Sequence, residues 1–376
     1  MLKNKNKGIT LVALVITIII LLILAGISIS VLTNTGIFGK AKEAKKKSED
    51  ATLEQNKILD NYEKEVDQYL PAFTGNTVEE AIQHGRVLNA TDNTELHDEK
   101  GNKIVVPAGF KVTGDATTID KGIVIEDATT GATSGSQFVW IPVGTITKAD
   151  GTTVGINLNR YAFDSNGIPT EKNEEVIDTH YSETASKGNT VAKSISNFKS
   201  SVTTNGGYYI GRYEARTTTA RNDKENALTQ ITEKGTDQIY NYVTQQQAAE
   251  QAQGMYTSNN FTSDLMNSYA WDTTTLFLQN CGTNKKYSRQ TSLNSSLLQT
   301  GTNTLTETNE IDKQCNVYDM ASNIVEWTTE TSSSSNGPCV VRGGLYYNSV
   351  IYSSNRNGND TSLSNGNLGF RPLLYL

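Results

Sequence analysis

Apolar residues are distributed along this chain in two different ways. Residues 8–39 hold no charged side chain, and Ile9 to Leu32 is almost wholly apolar. A run of that length suits one helix crossing a bilayer core, which takes about 20 residues. A short basic leader, Met1 to Gly8, precedes it. After Lys40 the chain turns highly charged, and Leu53, Ile58, Leu59, Tyr62, Val66 and Tyr69 recur at helical spacing. With Glu43 and Lys47 one turn apart, this predicts an amphipathic stalk helix ended by Pro71. Further on the apolar runs shorten. Ile104–Pro107, Phe110–Val112, Ile123–Ile125, Phe138–Val143 and Gly207–Arg216 predict strands between Gly and Asp turns. Alternation in the last would set Tyr208 and Ile210 on one side and Tyr209 and Tyr213 on the other. Helices are predicted at Val78–Gln83, Thr190–Ser201 and Leu265–Leu278, and a helix or loop at Glu225–Lys234 and at Gln245–Tyr256, the latter opening on residues of high helix propensity. Asp150–Thr204 is polar without clear period and reads as inserted helices and loops, and Asn294–Glu310 as an exposed loop. The pattern implies an α+β chain: leader 1–8, membrane helix 9–35, stalk 36–70, connection 71–103 and a globular head over 104–376.

The last sixty residues carry the densest pattern. In Asn316–Trp327 the apolar Val317, Tyr318, Met320, Ile324, Val325 and Trp327 surround Asp319, Asn323 and Glu326. Buried acids and amides need partners. Gly343 and Gly344 suggest a backbone that turns sharply or approaches another segment closely. Leu368–Leu376 reads as a terminal strand. Between Leu345 and Asn367 the composition shifts to Tyr, Asn, Ser, Gly and Thr, which is surface-loop chemistry between core strands. Tyr346, Tyr347, Asn348, Tyr352, Asn355, Arg356, Asn357, Asn359 and Asp360 are types that recognition surfaces favour, Tyr for contact area and Asn for adaptable hydrogen bonds. A passive polar loop has the same composition, and both readings stay open here.

Composition narrows the classes. The formal net charge of −7 argues against a nucleic-acid partner, which asks for a basic face. The three cysteines, Cys281, Cys315 and Cys339, show no CxxC spacing, and with three histidines in the chain a zinc site is not indicated. An odd count leaves at least one thiol unpaired within a monomer; one disulfide is open, and the sequence does not choose the pair. His84, His97 and His180 are scattered in polar segments, and no GxSxG, HExxH or P-loop pattern occurs.

Two stretches resemble known families. Lys7–Leu14 is similar to the prepilin leader of type IV pilins and pseudopilins, with secretory signal peptide and plain anchor as the other readings. The resemblance implies cleavage by a prepilin peptidase between Gly8 and Ile9, N-methylation of Ile9, a membrane-held helix and pilin subunits as partners. Ala13 stands where that family usually has Glu, whose carboxylate pairs with a neighbour's terminal amine, so processing is implied more strongly than filament incorporation. Tyr318–Trp327, Arg342–Gly344 and Gly369–Arg371 resemble, in order, the conserved blocks of the formylglycine-generating-enzyme (sulfatase-modifying factor) family. Phe138–Val143, Gly207–Arg216 and the stretch around Trp271 extend the likeness upstream. It implies an irregular C-type-lectin-like head behind the membrane-anchored helix. It also implies a calcium loop over Ala321–Glu326, with Asn323, Ile324 and Glu326 as ligands through backbone carbonyls and the Glu carboxylate; Ser322 stands where Gly is usual. The competing reading is a Glu326 carboxylate that accepts buried amides and holds no ion.

The family's oxidase needs two copper-binding cysteines shortly after the Arg-Gly-Gly block. Leu345–Arg356 contains none, and Asn and Ser do not replace a thiolate pair. The expectation is therefore a non-enzymatic cell-surface protein, membrane-anchored or in a pilus. Its head would bind an unknown protein or glycan through Tyr346, Tyr347, Asn348, Tyr352, Asn355, Arg356 and Asn357. A structural minor pilin or pseudopilin is the alternative, and an altered oxidase a disfavoured third.

Overall fold

In the computed structural model the described residues are 72–172, 181–182, 193–291 and 312–376, together with helical residues between positions 40 and 58. The chain divides into two units, Met1–Pro71 and Ala72–Leu376. In the first, Glu43 and Lys47 form an exposed 3.0 Å ion pair one turn apart. The leader, the cleavage position at Gly8 and Ile9, and the apolar helix over 9–35 lie outside the described residues. Among the described residues no helix is long and apolar enough to cross a membrane.

The second unit runs, in chain order, through α1 (Val78–His84), β1 (Phe110–Thr113), β2 (Val124–Asp127), β3 (Gln137–Pro142), α2 (Ile195–Asn205), β4 (Gly207–Gly211), α3 (Gln245–Gly254), β5 (Thr262–Leu265) and α4 (Ser268–Cys281). It closes with β6 (Val325–Ser332), β7 (Cys339–Arg342), β8 (Arg356–Asn359), β9 (Leu368–Phe370) and β10 (Pro372–Tyr375). Short hairpins and 3-10 turns fill the connections.

One sheet has the order β5-β10-β4-β3-β2-β1, with every pairing antiparallel. Its middle strand β4 is buried along its whole length. Tyr208 hydroxyl donates to the Ala270 carbonyl of α4 at 2.7 Å, whereas Tyr209 hydroxyl donates to the Val105 carbonyl at 3.0 Å. Adjacent side chains thus leave opposite faces, as strand pleating requires, and both faces are covered. On the second face the Trp140 and Tyr209 rings meet edge-on at 4.9 Å.

The second sheet is built on β6. It pairs antiparallel with β7, β7 with β8, and β9 lies parallel to β6 with Val325 opposite Leu368. The strand Tyr181–Ser182 pairs with the far end of β6. Helix α4 is buried from Ser268 through Gln279, and the side chain of Asn267 caps its start by accepting from Ala270 N at 2.9 Å.

Several expectations are corrected. The stretch 72–103 is not a mere connection: α1 and the hairpin Thr94–His97/Lys103–Val106 bury Val78, Ala81, Leu96 and Ile104 in the head's core. Leu265 does not begin a helix but ends β5, because Asn267 supplies the cap two residues later. The polar stretch after 144 forms two hairpins, Gly144–Thr147/Thr153–Ile156 and Tyr161–Phe163/Pro169–Glu171. The helix or loop expected at Glu225–Lys234 contains a strand, Ile231–Thr232, of a small three-stranded sheet.

Candidate functional site

The segment between β7 and β9 is where sequence and structure can be weighed for function. It leaves β7 through Gly343 and Gly344, which press against residues 320–322. Gly343 has φ +88, and a Cβ on Gly344 would lie 1.9 Å from the Ala321 carbonyl oxygen. Neither place admits a side chain. Two backbone bonds fix this approach: Gly344 N donates to Met320 O at 3.3 Å and Tyr346 N to Asn323 O at 2.8 Å. Leu345 and Tyr346 are buried.

The chain then rises to the surface. Tyr347 is 46% and Val350 68% exposed, among the large apolar side chains most open to solvent. The Tyr346 and Tyr347 rings meet edge-on at 4.9 Å, so the buried ring braces the exposed one. Asn367 Nδ2 donates to the Tyr347 hydroxyl at 3.3 Å. Asn348 is used locally, its Oδ1 accepting from Val350 N at 2.9 Å to shape the crest.

From Tyr352 the segment dives back. The Arg289 guanidinium lies 3.6 Å from the centre of the Tyr352 ring, a close cation–π stack. Ser353 is buried; its Oγ donates to Tyr287 O at 2.6 Å, and its carbonyl accepts Trp271 Nε1 at 2.9 Å. Ser354 Oγ donates to Ser288 O at 2.6 Å. The Asn355 carbonyl accepts Arg342 Nε at 2.7 Å. A second crest follows, with Asn357, Gly358, Asp360 and Ser362 exposed. There Asp360 Oδ1 accepts Ser362 N and Oγ at 2.8 and 2.7 Å.

Beneath these crests lies a buried ionic network. Asp272 on α4 and Glu330 on β6 face Arg160, Arg342 and Arg356. Arg342 reaches Asp272 at 2.6 Å and Glu330 at 3.3 Å. Arg356 Nε donates to both Glu330 oxygens at 2.8 and 3.1 Å, and its Nη2 donates to Asp272. Arg160 completes the set at 2.8 Å from Glu330. Burial pulls the Arg342 pKa below the usual guanidinium range, with the neighbouring charge of Arg356 adding to it and the two acids opposing. Burial acts on Arg356 in the same direction, but Asp272 and Glu330 outweigh it, and its pKa is raised.

The structure therefore redistributes the residues expected to form the recognition surface. Tyr347 stands exposed, Asn348 half-buried and Asn357 exposed. Asn355 is half-buried with its carbonyl committed to Arg342. Tyr346 and Arg356 are corrected: the first is interior, and the side chain of the second is 10% exposed and bound to two carboxylates. Tyr352 is half-buried and shares its ring face with Arg289. Arg160, Asp272 and Glu330 were not found as site residues because each has its partners far away along the chain.

A second buried cluster tests the calcium expectation. Glu326 spends both oxygens on Arg371, at 2.6 and 3.1 Å. Burial raises the Glu326 pKa and Arg371 opposes that shift. Asn323 Nδ2 and Ile324 N both donate to Glu214, the latter at 3.1 Å. Burial, then the nearby Asp319 and Glu326, push Glu214 well above the usual carboxylate range. A guanidinium already holds both Glu326 oxygens, so Glu326 does not fit the carboxylate ligand the resemblance implied, and the Asn323 carbonyl accepts from Tyr346 N at 2.8 Å. Among the described residues no group of three or more His, Cys, Asp or Glu is arranged to hold a metal.

Comparison with known proteins gives one family. A model described as "Sulfatase-modifying factor enzyme 1-like domain" matches residues 125–374, about two thirds of the chain. No match was found among curated proteins. Among solved structures, "Treponema denticola variable protein 1" is similar at 12% identity and a TM-score of 0.36, over 66% of this chain and 99% of that one.

Proposed function

Because the chain belongs to the family of sulfatase-modifying factor enzyme 1-like domains, we propose that its head is a non-catalytic member that binds a protein or glycan through the two crests at 347–350 and 357–362. The observation that carries this reading is the contrast between crest and base. Exposed Tyr347 and Val350, with Asn357, Asp360 and Ser362, sit on backbone held at Tyr346, Ser353, Arg356 and Leu368 by burial and ion pairs. A rigid base under exposed aromatic and amide groups lowers the entropy lost on binding. The absence of any cysteine in Leu345–Arg356 supports a role without the family's copper chemistry.

The prepilin-like start belongs to the same proposal. Cleavage between Gly8 and Ile9 by a prepilin peptidase would leave the apolar helix on the mature protein. The head would then be held at the cell surface by that helix, alone or among pilin subunits.

The test is a glycan and surface-protein binding screen on the full-length protein beside a variant carrying Tyr347→Ala, Val350→Ala and Asn357→Ala. A ligand bound by the parent and lost by a folded variant supports the site. No ligand at all, or a ligand bound equally by both, moves the assignment to a structural pilus subunit.

A further inference from the structure

Away from the crests, Cys281 and Cys315 border one pocket of about 350 Å3, which Asp120, Lys121 and Lys313 also line. The two cysteines are 34 positions apart in sequence, yet the residues just after Cys281 are held to the Gln314 side chain just before Cys315. Gln314 Oε1, next to Cys315, accepts from Thr283 N at 2.8 Å, from Thr283 Oγ1 at 3.2 Å and from Asn284 N at 3.3 Å, just past Cys281. A Cβ on Gly282 would lie 2.3 Å from that same Gln314 oxygen. The end of α4 thus lies directly on the turn that carries Cys315.

That turn is itself fixed. Cys315 and Asn316 both take left-handed φ, 46° and 62°. Asn316 Nδ2 donates to Gly122 O at 2.9 Å. The Cys315 carbonyl packs so closely on Gly122 that a Cβ there would sit 1.8 Å from its oxygen. Both cysteines are half-buried residues lining the pocket, whereas Cys339 is buried within β7.

We propose that Cys281 and Cys315 are an oxidation site that closes into a disulfide, leaving Cys339 reduced. Two S–H bonds break and one S–S bond forms. The two protons and two electrons pass to a disulfide oxidant such as oxidised glutathione, which leaves as two thiols. Burial pushes the Cys281 thiol up to about 12 and raises Cys315 further, with the neighbouring Asp120 adding to the Cys281 shift. Such thiols are poor nucleophiles, so closure is slow and calls for an oxidising compartment. The bond ties the end of α4 to the turn before Tyr318, and so joins both ends of residues 282–314.

The test uses the full-length protein, reduced with dithiothreitol, freed of reductant and equilibrated with oxidised glutathione. Thiols are counted after quenching and denaturation. The expected result is a fall from three thiols to one in the parent, while Cys281→Ser and Cys315→Ser each keep both remaining thiols. The parent is then cut with trypsin and a Glu-specific protease under non-reducing conditions. Cleavage after Glu326 and Glu330 separates Cys315 from Cys339, so the map shows which cysteine is linked to the Cys281 peptide. Three surviving thiols, separate glutathione adducts on Cys281 and Cys315, or a link through Cys339 would each overturn the proposal.

Discussion

Glu330 and Arg356 offer a sharp test of the buried network, because removing an acid and removing a base have unequal consequences there. Three guanidiniums face two carboxylates, so the cluster carries one excess positive charge. Glu330→Gln keeps the shape, raises the excess to two, and turns an amide NH2 toward two of the three cations. Breaking a buried ion pair from one side costs about 3–5 kcal/mol, since the surviving charge is left without compensation. Arg356→Ala removes the excess instead. Asp272 retains Arg342 and the Tyr161 N donor at 2.9 Å, and Glu330 retains Arg160 and Arg342. What is lost is packing and a few charge-assisted hydrogen bonds, about 1–3 kcal/mol. Against a total stability of roughly 5–15 kcal/mol, the difference is readily measured. Urea unfolding followed by circular dichroism and by fluorescence of the fully buried Trp140, Trp271 and Trp327 gives both values, coincident curves licensing the comparison. If Glu330→Gln costs no more than Arg356→Ala, the charge argument is wrong and the network acts only through packing.

Other predictions follow from single contacts. Gly344→Ala should destabilise by at least about 1–3 kcal/mol, the usual overpacking range, because its Cβ would strike the Ala321 carbonyl; a change below a few tenths of a kcal/mol in the same urea assay refutes the close approach. Trp271→Phe deletes the donor to Ser353 O and should cost about 1–3 kcal/mol beside a near-neutral Val350→Ala; equal values would show that the indole bond does not hold the segment's base. Burial and the neighbouring Asp319 push the Asp312 carboxyl up to about 6. It is ionised in both states above that pH, and the folded protein takes up the proton first as pH falls toward the unfolded value of about 3.9. This group should therefore favour folding increasingly over that window, by about 3 kcal/mol in all. A carboxyl infrared band titrating near 6 and missing in Asp312→Asn would confirm the assignment; its persistence in the variant would assign the titration elsewhere. Finally, a calcium chelator should leave the unfolding midpoint unmoved, because Arg371 occupies the Glu326 carboxylate; a clear drop would restore the ion.

Strands β1 to β4 of the first sheet could be read from the chain because each is a short apolar run bounded by Gly or Asp, as at Phe138–Pro142 and Gly207–Gly211, whereas the polar β5 could not. The hairpins after 144 also left a signal. Asp150-Gly151 and Asn166-Gly167 sit at their turns, with Gly151 and Gly167 at positive φ, and such pairs favour tight hairpins. The polar flanks concealed it. Asn267 likewise marks where β5 gives way to α4, a local cap outweighed in the sequence by the apolar residues on either side. The candidate site was harder. Tyr347 and Arg356 look equally suited to a surface, and only the fold separates them. Arg356 meets Asp272 from 84 positions away and Glu330 from 26, distances over which no residue pattern reports a charge pair. The same holds for Glu326 and Arg371, 45 positions apart.

The placement of β10 bears on how the head is made. Residues 372–375 lie between β5 and β4, inside the six-stranded sheet rather than at its edge, while the adjacent β9 adds to the other sheet. Neither sheet can close until this stretch has left the ribosome and is free to enter. Until then β4 and β5 each expose a row of unpaired backbone groups, a template for pairing with the wrong chain. A chain cut short before Pro372 should therefore be recovered as aggregate rather than as a smaller folded protein.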